Sequence, residues 1–268
     1  MPVVDYHASI RALVAVRGHP FDRNAFATVF EEMQGISATM VDQPACLLMN
    51  PAGMRDFDVL VLYDMPGLDF AAPEPPAYVP PDPAFVSGFE ALLTSGKGIV
   101  ALHHALAGWP SWPGYAEHLG GRFLYRSDTL RGSDLLDSGY RHDVPYDAMV
   151  TGNHRATQDL PPRFPLIDEL YLAEVFEDSV TPLLRADAAF TRDQFFSAKH
   201  AVSGRMFCRD DWDHPPGSDL IGWTKRAINS PLVYLQPGDG PATYADANYR
   251  RLVENAIRWV VAESAPQN

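Results

Sequence analysis

The residues best suited to chemistry are histidines and carboxylates that each follow a short apolar run. Arg17-Gly18-His19-Pro20 follows the run 10–16, Asp64 follows 58–63 (DVLVLY), and His103-His104 follows 99–102 (IVAL). In an open parallel sheet, ligands bind beyond the carboxyl ends of the strands. Imidazole and carboxylate groups from three strands are therefore expected to meet at one sheet edge. Neighbours in an extended segment point to opposite sides, so only one of His103 and His104 needs to face a cleft there. His103 is the first choice and His104 its neighbour. Further along, Asp168 and Glu169 sit between apolar residues, where an ionised carboxylate needs a partner. Alternation lets one of them face a histidine, and Glu169 is the choice.

These residue types support two kinds of site. A metal-free acid–base site would use His103 or His104 as general base with Glu169 orienting it or accepting a proton. Alternatively, three nitrogen or oxygen ligands and a water would satisfy a divalent metal such as zinc. The ligand candidates are His19, His103, His154 and Glu169, drawn from distant stretches because the chain has no HExxH spacing. His154, in Asn153-His154-Arg155, joins His19 and Asp64 as an expected substrate contact. Trp109, which follows the histidine pair within a group including Trp112 and Tyr115, has two readings, stacking on a sugar ring or packing in the core or a lid, of which packing is favoured.

Other chemistries lack their residues. No GxSxG elbow is present, and neither Cys46 nor Cys208 lies at a strand-to-helix turn, so serine and thiolate nucleophiles are disfavoured. Without a GxGxxG or P-loop motif, a nucleotide cofactor has no support.

The elements that must position these groups alternate. Run 10–16 ends at Gly18 and Pro20 and reads as a buried strand. Asp22 then caps a helix whose Phe26, Val29, Phe30 and Met33 form one apolar face. Gly35 closes that helix, and 36–41 is extended. DVLVLY is a second strongly apolar strand, residues Pro83–Thr94 a helix, and IVAL a third such strand. Strand–helix alternation implies right-handed crossovers and a mostly parallel sheet covered on both faces. Residues 65–82 hold six prolines and form a long surface excursion. Residues 219–227 and 231–236 suggest a C-terminal hairpin around Asn229 and Ser230. A last helix from about Asp246 packs Tyr249, Leu252, Val253, Ala256, Ile257 and Val260 on the sheet.

The 268 residues, 46% hydrophobic and 21% charged, fit a globular chain read as one domain over 1–268. A net charge of -13 repels phosphate backbones, which argues against nucleic-acid partners. No apolar run is long enough to span a bilayer. The N-terminal stretch lacks the basic region and cleavage site of a leader. With two cysteines and no CxxC, a cytoplasmic location is expected.

Four ordered stretches carry a family resemblance. They are FDVLVLYDMPG (57–67), GKGIVALHHALAGW followed by HLGGRFLY (96–125), NHRATQDLPPRFPLIDELY (153–171), and SPLVYLQPGDG with YRRLVENAIRWV (230–260). Together they resemble the ThuA-like (trehalose utilization) proteins over nearly the whole chain. The resemblance implies a class I glutamine amidotransferase-like fold, a flavodoxin-like three-layer sandwich, without the amidotransferase cysteine. A histidine-bearing strand end, here His103, stands in that region. The resemblance also implies a role in disaccharide or keto-sugar metabolism, and it places His19, His103, His154 and Glu169 on the family's recurrent polar positions. The chain departs from the pattern at Arg155, where the family favours proline, and at Tyr125-Arg126, where a family histidine is missing. Asp239 stands where a closing histidine is usual, so that histidine's role is lost or passes to Asp239.

Two functions remain open at this stage. One is a cytoplasmic enzyme acting on a small sugar, either abstracting a proton beside a carbonyl or hydrolysing a keto-sugar glycoside. The other is a non-catalytic sugar- or partner-binding module on an amidotransferase scaffold. A small-molecule sugar is the expected partner, a divalent metal the one candidate cofactor, and a homo-oligomer a candidate assembly.

Overall fold

The computed structural model describes Asp5 and residues 7–264. The expectations about an N-terminal leader and a unit spanning 1–268 extend to residues outside that set. The long strands are β1 (Ile10–Arg17), β2 (Ile36–Asp42), β3 (Val59–Asp64), β4 (Gly98–Leu102), β5 (Gly139–Val150), β6 (Arg163–Leu172), β7 (Thr181–Ala186), β8 (Leu220–Ala227) and β9 (Ser230–Leu235). The helices are α1 (Arg23–Glu31), α2 (Pro83–Thr94), α3 (Pro113–Leu119), α4 (Ala198–Val202), α5 (Pro241–Ala245) and α6 (Ala247–Glu263).

The strands form one sheet in the order β6-β5-β7-β8-β9-β4-β3-β1-β2, with Phe196–Ser197 added alongside β5. From β9 to β2 all neighbours are parallel. From β9 to β6 they are antiparallel. The elements from β1 to β4 match the sequence expectation, strand and helix alternating with parallel pairing. β1, β3, β4 and β9 are buried on both faces over most of their length, which is why they read as apolar runs, whereas the edge strand β2 is largely half-exposed. Val14, Val61 and Val100 pack with Phe26, Leu252 and Ile257 on one face. Leu13, Leu60 and Ile99 pack with Phe89, Leu92 and Leu119 on the other. The result is a three-layer α/β sandwich.

Local signals set the helix starts. Asp22 accepts from the Ala25 N–H at 2.9 Å, and Asp246 accepts from the Asn248 and Tyr249 N–H groups at the start of α6, each satisfying orphan donors of the first turn. The expected C-terminal hairpin is β8–β9. It is not a decoration at the sheet margin, because β9 also pairs in parallel with β4 and all six of its residues are buried.

The antiparallel half curls. β6 is the outermost strand, yet its Tyr171 N–H donates at 2.9 Å to the side-chain oxygen of Gln236, which directly follows β9. This curl brings β6 back over the carboxyl ends of the parallel strands.

Candidate active site

Each parallel strand end delivers its polar residue by a constrained turn. At the end of β1, Arg17 and Gly18 have φ of 104° and 97°. A Cβ on Gly18 would lie 2.4 Å from the Met65 carbonyl oxygen, so only glycine fits this crossing. The turn sets out His19, whose Nδ1 donates to the Pro20 carbonyl at 2.8 Å. That bond leaves Nε2 as its free, accepting nitrogen. Burial chiefly, and then the nearby positive His103, hold the His19 pKa below its ordinary value, against the opposing pull of Glu169 and Asp239.

At the end of β4, His103 has a φ of 46°. Such a backbone costs about 1–3 kcal/mol outside glycine and persists where the surroundings enforce it. The enforcing contacts are clear. Nδ1 donates to the Gln236 carbonyl at 2.7 Å. Around Nε2 stand three oxygens: Tyr171 OH at 2.7 Å, Glu169 Oε2 at 3.1 Å and Asp239 Oδ1 at 3.4 Å. Burial opposes charge on this ring, but hydrogen bonds with Asp239 and Glu169, together with their negative charge, outweigh it and push the pKa up to about 10. Burial likewise works against the Asp239 carboxylate, and its bond to His103 with the positive charge of that ring brings it down to about 2.

Asp239 is held from behind. On β6, Asp168 and Glu169 divide their duties. Asp168 accepts from the backbone N–H groups of Gly238 and Asp239 at 2.6 and 3.0 Å, while Glu169 meets His103. Burial pushes Asp168 up to about 6, against the opposing effect of His103 and those two N–H groups. Gly238 has φ 132°, and a Cβ there would meet the Tyr249 hydroxyl at 2.5 Å.

His142, on β5, completes the cluster. Its Nδ1 lies 3.3 Å from Glu169 Oε1 and 3.9 Å from Asp239 Oδ2. These groups open on a cavity of about 130 Å³ lined by His19, Tyr125, Tyr140, His142, Glu169 and Tyr171, with Phe123 and Met206.

The donor set has the composition and spacing of a cation site. A single N–H can point at one acceptor, so three oxygens around Nε2 exceed what a protonated imidazole can satisfy. Donors bound to one ion at about 2.1 Å lie about 3.0 Å apart at octahedral and about 3.4 Å apart at tetrahedral angles. The two His103–carboxylate separations fall at these values, and the three ligand atoms of His103, Glu169 and Asp239 lie within 4.8 Å of one another. The Gln236 carbonyl on Nδ1 is the partner that fixes a ligating histidine's tautomer. The residues fit a divalent ion.

Other sequence candidates lie elsewhere. His104 is buried beneath His19, its ring stacked 4.6 Å away, and its Nε2 donates to the Tyr63 carbonyl at 3.2 Å. It does not line the cavity. Burial and the two neighbouring histidines hold its pKa well below the ordinary value. Asp64 is 1% exposed and accepts from the Gln43 side-chain amide; burial pushes it up to about 7. Trp109 packs on Phe85 at 4.9 Å and walls the 65–82 excursion, so its ring faces protein and not the cavity. His154 is the clearest correction. It packs on Trp259 at 4.7 Å, next in α6 to Val260, which covers Gly98 at the start of β4. It therefore sits at the opposite sheet edge from His103 and cannot join a ligand set with it.

Four participants were not singled out from sequence as site residues: His142, Tyr171, Gln236 and Asp168. Only Asp168 carried a signal, as an acidic residue in an apolar stretch. Neither Cys46 nor Cys208, both free thiols, borders the cavity.

A family model described as ThuA, trehalose utilisation, matches residues 11–260. Among solved structures, a ThuA-like protein from Parabacteroides merdae superposes with a TM-score of 0.64 at 12% identity, covering 97% of this chain and 92% of that one. A ThuA-like protein from Bacteroides uniformis gives 0.62 at 18% identity, covering 98% and 95%. A cytoplasmic protein from Salmonella typhimurium gives 0.55 at 12%, covering 94% and 99%. No curated protein matches the chain significantly. Among the described residues, no helix is long and apolar enough to cross a membrane.

Proposed function

The chain belongs to the ThuA family, and we propose that its strand-end cavity is the active site of a cytoplasmic enzyme that removes a proton beside the carbonyl of a small keto-sugar. Membership carries a role related to trehalose utilisation in general terms; the reaction, substrate and location are this reading's own. It treats the chain as one domain with a small-molecule sugar as its partner.

One observation carries the reading: His19 and Glu169 line the same aromatic-walled cavity. His19 is the base. Its Nδ1 proton is committed to Pro20, burial keeps the ring neutral, and Nε2 is the accepting nitrogen. The electron pair of the broken C–H bond moves toward the carbonyl carbon, and negative charge develops on the carbonyl oxygen. Tyr171, close to its His103 partner, supplies a hydroxyl to that charge. Tyr125, Tyr140 and Phe123 offer apolar faces to the C–H face of a sugar ring. His103, Glu169 and Asp239 would hold a divalent ion, which when bound supplies Lewis-acid polarisation of a substrate oxygen. His104 supports His19 from below, and Asp168 positions Asp239. In a substrate with a glycosyl oxygen one carbon further on, the electron pair of the broken C–H bond can instead expel that oxygen, which takes the proton held by His19 and leaves an enone to which water adds, linking the proton-abstracting and glycoside-hydrolysing alternatives.

The test is deuterium exchange. Keto-sugars and keto-disaccharides incubated with the protein in D₂O should lose the proton signal next to the carbonyl, and His19→Gln should abolish that loss. Saturable sugar binding without exchange would leave the binding-module alternative standing.

A further inference from the structure

We propose that His142 is the nitrogen donor of a second divalent-cation position, bridged by Glu169 and Asp239 to the ion that His103 would hold. The inference rests on the metal component of the function proposed above and extends it from one ion to two.

The carboxylate oxygens are divided between the two imidazoles. Glu169 turns Oε2 to His103 at 3.1 Å and Oε1 to His142 at 3.3 Å. Asp239 turns Oδ1 to His103 at 3.4 Å and Oδ2 to His142 at 3.9 Å. Each carboxylate thus presents one oxygen to each nitrogen, the bridging arrangement of two-metal sites whose ions lie about 3.5–4 Å apart.

His142 is aimed there by an irregularity of its strand. The β5–β6 register shifts between Arg141 and Val144, and Asp143 takes a φ of 54°. Bulges of this kind redirect a side chain at a site rim. The His142 side chain is 36% exposed, whereas the His103 side chain is fully buried. The inner position is therefore enclosed by protein. The outer one borders the cavity, where water or substrate oxygens would complete its shell. Two ions side by side favour a substrate that offers two adjacent oxygens, such as the hydroxyl and carbonyl of an α-hydroxy ketone.

The experiment counts ions. Full-length protein is stripped with chelator and titrated with Mn²⁺, with stoichiometry read by calorimetry and elemental analysis and ion–ion coupling by EPR. The expected result is two Mn²⁺ per chain with a spin-coupled signal, falling to one uncoupled Mn²⁺ in His142→Ala and in His142→Gln. A wild-type protein that saturates at one ion overturns the second position while sparing the first. Two ions retained in both His142 variants overturns the role of His142. No binding at all removes the metal from the proposed function as well.

Discussion

Glu169 Oε2 lies 3.1 Å from His103 Nε2, although four strands of the sheet stand between β6 and β4. The pair is made by the curl of the antiparallel half, with Gln236 as the clasp: its backbone carbonyl holds the His103 ring and its side chain holds the Tyr171 backbone. Glu169→Gln keeps the shape and removes the charge. We expect exchange activity to fall by on the order of 10²-fold or more with fold retained by circular dichroism. Near-wild-type turnover in this variant would show that the pair is structural only.

Asp64 gives a stability test that is independent of any substrate. Its carboxyl has a folded pKa of about 7 against an ordinary value of 3.8, because burial disfavours the charged form. A raised folded value means that its contribution is fully present below pH 4 and is lost as pH rises through about 7. Asp64→Asn should remove that decline, leaving the variant more stable than wild type at pH 8 by up to about 4 kcal/mol. Urea unfolding at pH 4.5 and pH 8 reads the difference; parallel pH profiles for the two proteins would contradict the assignment.

The mouth of the cavity is apolar on one side. Met206 and Phe207 are 49% and 60% exposed, Phe207 meets Phe196 edge-on at 5.5 Å, and its N–H donates to the Tyr140 hydroxyl. A substrate reaching beyond the cavity would rest on this rim. Phe207→Ala should raise KM by about tenfold for a two-ring substrate and leave kcat nearly unchanged. A one-ring substrate should show neither effect, and steady-state kinetics on the two substrates separates the cases.

His154→Ala is the complementary control. The ring accepts from the Ala156 N–H at 3.1 Å and so caps a short turn, far from the cavity. Its loss should cost about 1 kcal/mol of stability and leave exchange kinetics and metal stoichiometry untouched. A kinetic defect in properly folded His154→Ala would mean the two sheet edges communicate.

The parallel half was legible in the sequence because β1, β3 and β4 are buried on both faces and are punctuated by Gly, Pro or Asp. The same punctuation marked His19 and His103. Beyond the β8–β9 hairpin, marked by Asn229 and Ser230, the antiparallel half offered no unbroken apolar run. β5 mixes buried and half-exposed residues and is broken by a bulge at Asp143, so His142 gave no periodic signal. Asp239 was accessible only through family resemblance, because its place beside His103 depends on Asp168 and on the curl, both long-range features. His154 misled for the opposite reason: a matching position in the chain says nothing about which sheet edge it reaches.

The order in which the site's parts emerge from the ribosome follows from the clasp at Gln236. His19 and His103 are synthesised early and Glu169 later, but the ring of His103 acquires its orienting carbonyl only when β9 has joined β4, and Asp239 follows immediately. A nascent or truncated chain lacking this last segment would carry most of the reactive groups and none of their alignment. Alignment of the site is thereby tied to the arrival of residues 236–239 beside His103.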